Sequence, residues 1–151
     1  MMREFIQIGL LTCLVAAVTF GVAGPRLQKD PGPSAAEVRA IMESGEALFL
    51  DARPYADYEA GHIPGSINIP AHDQGKIPFI LQLEDMLRSS PVLVLYCTGP
   101  ECELADILAA DLQSLGFPAE QMVLFTGGME AWTTAGYEIS TDTGFQQSLQ
   151  P

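Results

Sequence analysis

The chain is 151 residues long and carries seven Lys and Arg against nineteen Asp and Glu, a formal net charge of -12. That length holds one domain, and the 48% hydrophobic content excludes wholesale disorder. No Lys or Arg follows Arg88, whereas Glu101, Glu103, Asp106, Asp111, Glu120, Glu130, Glu138 and Asp142 do. Without a basic surface to displace counterions, nucleic acid and anionic lipid headgroups are poor partners, and no nucleic acid is expected.

Phe5 to Gly24 (FIQIGLLTCLVAAVTFGVAG) is a run of twenty residues without a charge. At helical rise it spans about 30 Å, the thickness of a bilayer hydrocarbon core. Two readings stand: a retained transmembrane anchor over residues 1–24, or a cleaved signal ending near Gly21-Val22-Ala23. The run is longer than a signal core and its basic flank is thin, so an anchor is the expectation, with the short N-terminal tail inside and the domain on the extracytoplasmic, periplasmic side. Cys13 reads as a small hydrophobe within this run. Residues 25–33 (PRLQKDPGP) form a Pro- and Gly-punctuated linker. The domain proper is expected over 34–142, with 143–151 a C-terminal tail.

Within the domain, Ser34 with Glu37 three residues on makes a capping box for a helix through Met42. Ala47 to Leu50 is a short apolar run of buried-strand type, and Pro54 to Glu59 a helical turn. The Gly61-His62-Ile63-Pro64-Gly65 turn leads to a strand fragment at Ser66 to Ile69. Ile77 to Arg88 has helical spacing, and Val92 to Tyr96 (VLVLY) is a second all-apolar strand. Glu103 to Leu115 is an amphipathic helix with Leu104, Ile107, Leu108, Leu112 and Leu115 on one stripe. Met122 to Phe125 is a further strand, and Gly127-Gly128 opens a short helix around Trp132. Strands alternating with helices predict an α/β fold, a parallel sheet covered by helices on both faces.

Cys97 stands at the carboxyl end of the strand Val92 to Tyr96, with a helix beginning some six residues later. In open parallel sheets this is the ligand-binding edge. The loop Cys97-Thr98-Gly99-Pro100-Glu101-Cys102 precedes a helix N-terminus, where backbone N–H groups and the helix dipole stabilise an anion on sulfur. A buried structural cysteine is the competing reading. His62 reads as a turn residue rather than a base, and Trp132 as core packing. The two His and the two nearby Cys, Cys97 and Cys102, lack zinc-ligand spacing, so no metal is expected.

Three segments carry a resemblance to the rhodanese family: LFLDARPYADYEAGHIPGSINIP, VLVLYC with its loop and helix, and FTGGMEAWTTAGYEI. They cover roughly Ser34 to Ile139 in order. The resemblance implies a five-stranded parallel sheet, here preceded by the transmembrane helix, and a sulfurtransferase needing no cofactor. Cys97 would accept sulfane sulfur as a persulfide and pass it to a thiophilic acceptor. Thr98, Gly99, Glu101 and Cys102 would offer backbone N–H donors to the terminal sulfur, with Pro100 fixing the turn. Asp51 and Arg53 would clamp a strand end, and Gly127 and Gly128 would let backbone approach the pocket. The six-residue loop implies sulfur rather than phosphate chemistry, and no arginine follows Cys97 to clamp a phosphate.

One departure is the acidic character of the loop. Glu101 and Glu103 suit the first helical turn but repel a dianion such as thiosulfate. The expected partner is therefore a neutral small sulfur donor or a protein persulfide, with any membrane-protein partner unspecified. A catalytically weak membrane-tethered scaffold, or a thiol-redox relay through Cys97 and Cys102, are the alternatives. For Cys102 the expectation is an inert small hydrophobe, because so tight a loop leaves little freedom for a disulfide.

Overall fold

The structure, a computed structural model, describes residues 32–150. The proposed anchor and most of the linker lie outside them. Among the described residues no helix is long and apolar enough to cross a membrane.

Helix α1 (Ala35–Ser44) starts where the capping box places it: the Ser34 hydroxyl accepts from the Glu37 N–H, and the Glu37 carboxylate accepts from the Ser34 N–H. That hydrogen bonding from Ser34 holds the Glu37 carboxyl below its ordinary pKa. Strand β1 (Ala47–Asp51), helix α2 (Tyr55–Ala60) and strand β2 (Ile67–Asn68) follow. The Ile77 to Arg88 pattern resolves into two helices, α3 (Lys76–Gln82) and α4 (Glu84–Ser89). They meet at buried Leu83, whose N–H is shared between the carbonyls of Phe79 and Ile80. Strand β3 (Val92–Tyr96), helix α5 (Leu104–Ser114), a 3-10 turn at Ala119–Gln121, strand β4 (Met122–Phe125) and helices α6 (Gly128–Thr134) and α7 (Gly144–Ser148) complete the chain.

The sheet is parallel with strand order β2-β1-β3-β4. Alternation along β3 divides the core. Leu93 and Leu95 join Ile80, Leu87, Leu108 and Leu112 on one face, and Val94 and Tyr96 join Val38, Phe49, Phe125 and Trp132 on the other. Helices therefore cover both faces, as the apolar strands require.

The sheet has four strands among the described residues, which corrects the five implied by the resemblance. The chain beside β4 explains it. Gly32 lies so close to that edge that a Cβ there would meet Thr126 Oγ1 at 2.9 Å and the Leu124 carbonyl at 3.0 Å. Its φ of +62° is not a strand conformation, and Pro33 has no N–H to give a ladder. Gly32 and Pro33 add no strand to that edge.

Residues 143–151, read as a tail, include α7, whose Gln146 side chain is buried against the other sheet edge. Gln146 Oε1 accepts from the Asn68 N–H at 2.8 Å, and its amide donates to the Asn68 carbonyl at 3.1 Å. A side-chain amide thus occupies the place of a neighbouring strand beside β2.

Candidate functional site

The carboxyl ends of β1 and β3 lie side by side, with Asp51 in register with Tyr96. Asp51 is fully buried and its charge is met at once by Arg53. The guanidinium donates to Asp51 Oδ2 at 2.6 Å and Oδ1 at 3.0 Å, and onward to the Gly61 carbonyl at 2.8 Å. Burial works to lower the Arg53 pKa, but the Asp51 carboxylate outweighs it and the net shift is upward. Tyr96 is buried beside them; its hydroxyl pairs with Ser66 and accepts from the Ile63 N–H. Burial, then the nearby Asp51 charge, pushes this phenol well above its ordinary range. This network fastens the floor beneath Cys97.

Cys97 follows Tyr96 and is 3% exposed. The loop beyond it is held from two sides. The Cys102 N–H donates to the Gly99 carbonyl at 3.0 Å, closing a turn with Pro100 at its second position. The first-turn N–H groups of α6 reach across: Met129 donates to the Cys97 carbonyl at 3.0 Å and Glu130 to the Thr98 carbonyl at 2.9 Å. This contact depends on Gly128. Its φ is +54°, and a Cβ there would stand 2.4 Å from the Cys97 carbonyl oxygen and 2.8 Å from the Thr98 carbonyl carbon. Gly127 serves packing instead, since its missing Cβ leaves room for Ala131 and Phe125.

The sulfur of Cys97 is paired with that of Cys102 as a disulfide, with Cα atoms 6.3 Å apart. The pairing runs against the expected difficulty of closing a disulfide across so tight a loop. The turn at Gly99 to Cys102 brings the two Cα atoms inside the range a disulfide needs, which spacing alone did not reveal. Cys102 is half-buried and also packs against the core. In this state Cys97 Sγ lies 3.4 Å from the Cys102 carbonyl and 3.9 Å from the Gly99 carbonyl. A disulfide sulfur has no proton to donate, so these are contacts rather than hydrogen bonds. The Cys102 N–H is spent on Gly99, so it gives nothing to the sulfur here.

Helix α5 begins just beyond, with Glu103 at its cap position and no side-chain cap. Its leading N–H groups, capped by no side chain, and its positive dipole end follow directly on the loop. The rim is acidic. Glu101, Glu103 and Glu130 are exposed, and the Glu130 carboxylate overhangs the loop so closely that a Cβ on Gly99 would meet its Oε2 at 2.6 Å. No cation occurs in the loop or in α6. Glu130 was not singled out from sequence, because it lies 33 positions after Cys97 and only the α6 clamp brings it back.

His62 is buried away from any catalytic arrangement shown here. Its ring stacks on Tyr58 with centroids 3.8 Å apart, its Nδ1 is 2.8 Å from the Tyr58 carbonyl, and its backbone bridges to Ser140. Trp132 is fully buried, and its indole N–H donates to the Glu138 carbonyl. Among the described residues no group of three or more His, Cys, Asp or Glu could hold a metal.

Comparison with known proteins places this geometry. The model of the rhodanese-like domain matches residues 34–135. An HTH-type transcriptional regulator of Mycobacterium tuberculosis is 33% identical over 107 residues, covering 69% of this chain and 42% of the regulator. A tRNA uridine(34) hydroxylase of Erwinia tasmaniensis is 36% identical over 73 residues, covering 47% of this chain and 21% of the hydroxylase. The chain thus spans less than half the length of these curated relatives. Among solved structures, a thiosulfate sulfurtransferase from Pseudomonas aeruginosa superposes with a TM-score of 0.56 at 26% identity, over 73% of this chain and 20% of the sulfurtransferase. With a matched model running from the α1 cap to the end of α6, this chain belongs to the rhodanese-like domain family.

Proposed function

We propose that the protein is a sulfurtransferase that carries sulfane sulfur as a persulfide on Cys97 and passes it to a thiophilic acceptor. The observation that carries this reading is the placement of Cys97: at the carboxyl end of β3, on a loop clamped by α6 that leads into the uncapped start of α5. A helix N-terminus there favours the thiolate that attacks a sulfur donor and the persulfide anion that results. The likeness to a thiosulfate sulfurtransferase supports the same chemistry. No cofactor is required, because the thiolate itself is the nucleophile and the donor supplies the sulfur.

The acidic rim sets the donor class. Three carboxylates around a loop without a cation disfavour thiosulfate and favour a neutral or protein-bound persulfide. It also supports a second reading, a family member that keeps the fold and binds without turnover. Loading separates them. The reduced full-length Cys13→Ser/Cys102→Ser protein, exposed to a low-molecular-weight persulfide, should gain one sulfur atom by intact mass, and the same protein with Cys97→Ser should gain none. No gain on Cys97 would leave the binding module as the reading.

The apolar run Phe5 to Gly24 supports a membrane tether, with the domain on the extracytoplasmic side. Protease added to intact cells should then digest the domain. Protection until lysis would reverse the orientation.

A further inference from the structure

We propose that Cys102 is a resolving thiol, which makes the protein a sulfane-sulfur reductase: it receives sulfane sulfur on Cys97 and releases it as sulfide, leaving the Cys97–Cys102 disulfide. The inference rests on the carrier role of Cys97 and adds the fate of the sulfur.

Two observations carry it. The sulfurs of Cys97 and Cys102 are paired, with the Cys102 N–H on the Gly99 carbonyl and Cα atoms 6.3 Å apart. The same fold of the loop also takes the surroundings of Cys97 Sγ out of the form that would hold a persulfide anion. Two carbonyl oxygens, of Cys102 and Gly99, are near it at 3.4 and 3.9 Å, and one of the loop N–H groups is consumed internally. Carbonyl oxygens repel an anionic sulfur but tolerate a neutral disulfide. The closed loop therefore suits the product of resolution, and the persulfide requires the turn to open.

The step balances without an outside oxidant. The Cys102 thiolate attacks Cys97 Sγ, the Cys97 Sγ–sulfane bond breaks as the Sγ–Sγ bond forms, and the terminal sulfur leaves as hydrosulfide. The sulfane sulfur is reduced by two electrons and the two thiols are oxidised by two. An external dithiol then reduces the disulfide through a mixed disulfide and returns both thiols. Cys97 is almost fully covered while Cys102 is half-buried, so Cys102 is the sulfur open to that dithiol.

The test uses the full-length chain in detergent, with Cys13→Ser to remove the third thiol, reduced and then freed of reductant. One equivalent of a low-molecular-weight persulfide is added, and sulfide release and the 97–102 disulfide peptide are measured together. The inference predicts about one sulfide per protein with matching disulfide from the chain that retains Cys102. With Cys102→Ser or Cys102→Ala, sulfur stays on Cys97 and sulfide release falls at least tenfold. If the chain with Cys102 holds its persulfide as long as these variants do, Cys102 does not resolve it and the carrier role stands alone. If no variant gains sulfur on Cys97, the carrier role fails and the inference with it.

Discussion

Gly128 is the residue on which the loop most depends. An alanine there would be strained at φ +54° and would drive its Cβ into the Cys97 carbonyl, a backbone atom that cannot move aside as a side-chain tip can. We expect Gly128→Ala to cost roughly 2 to 4 kcal/mol in denaturant unfolding and to slow persulfide loading at Cys97. Full stability with unchanged loading would show that the α6 clamp is not needed. The acidic rim governs which donors approach Cys97. Glu101 and Glu130 are exposed, so their effect on an anionic donor should fade beyond a Debye length of about 8 Å at physiological salt. Glu101→Arg should lower the KM for thiosulfate several-fold at low ionic strength and little at high. A KM indifferent to both substitution and salt would remove the electrostatic argument.

At the scale of elements, the edges of the sheet hold what the sequence pattern could not express. Gln146 satisfies both backbone groups of Asn68 at the β2 edge. Removing it strands a buried donor and acceptor, each worth about 1 to 3 kcal/mol when unpaired. Gln146→Ala should therefore lower stability by about 2 to 4 kcal/mol, seen as a lower denaturant midpoint at unchanged m-value. A neutral result would mean that water replaces the amide. Periodicity and capping made most elements legible beforehand: Ser34 and Glu37 marked the start of α1, and the runs at Val92 and Met122 gave β3 and β4 at their observed bounds. Four strands were visible as apolar runs, and the fifth came only from family resemblance, where Pro33 and the left-handed Gly32 oppose a ladder. The break at Leu83 was hidden because helical spacing continues through it. The contacts of Gln146 and Glu130 were hidden because each is polar, distant in sequence and placed only by the closed fold.

Over the whole molecule, the buried phenols couple stability to alkaline pH. Burial raises Tyr96 well above the usual 10.0 and pushes Tyr58 up to about 12. Above pH 10 the unfolded chain loses these protons while the folded one keeps them, so the unfolded state binds fewer protons and stability falls as pH rises. Their contribution is complete below about pH 10 and is lost towards the folded values. Circular dichroism should show cooperative unfolding together with tyrosinate absorbance in this window, and Tyr58→Phe should flatten the slope. Ionisation of Tyr58 and Tyr96 themselves near pH 10 in the folded protein, assigned by Tyr→Phe substitution, would contradict the burial of both groups. A single-turnover chase shows whether Cys97 both holds and delivers sulfur. Full-length Cys102→Ser protein loaded with one labelled sulfane sulfur is mixed with a low-molecular-weight thiol acceptor and sampled by peptide mass spectrometry. Label should leave the Cys97 peptide at the rate at which it appears on the acceptor. Label that never resides on Cys97, or that remains there while acceptor is in excess, would contradict it.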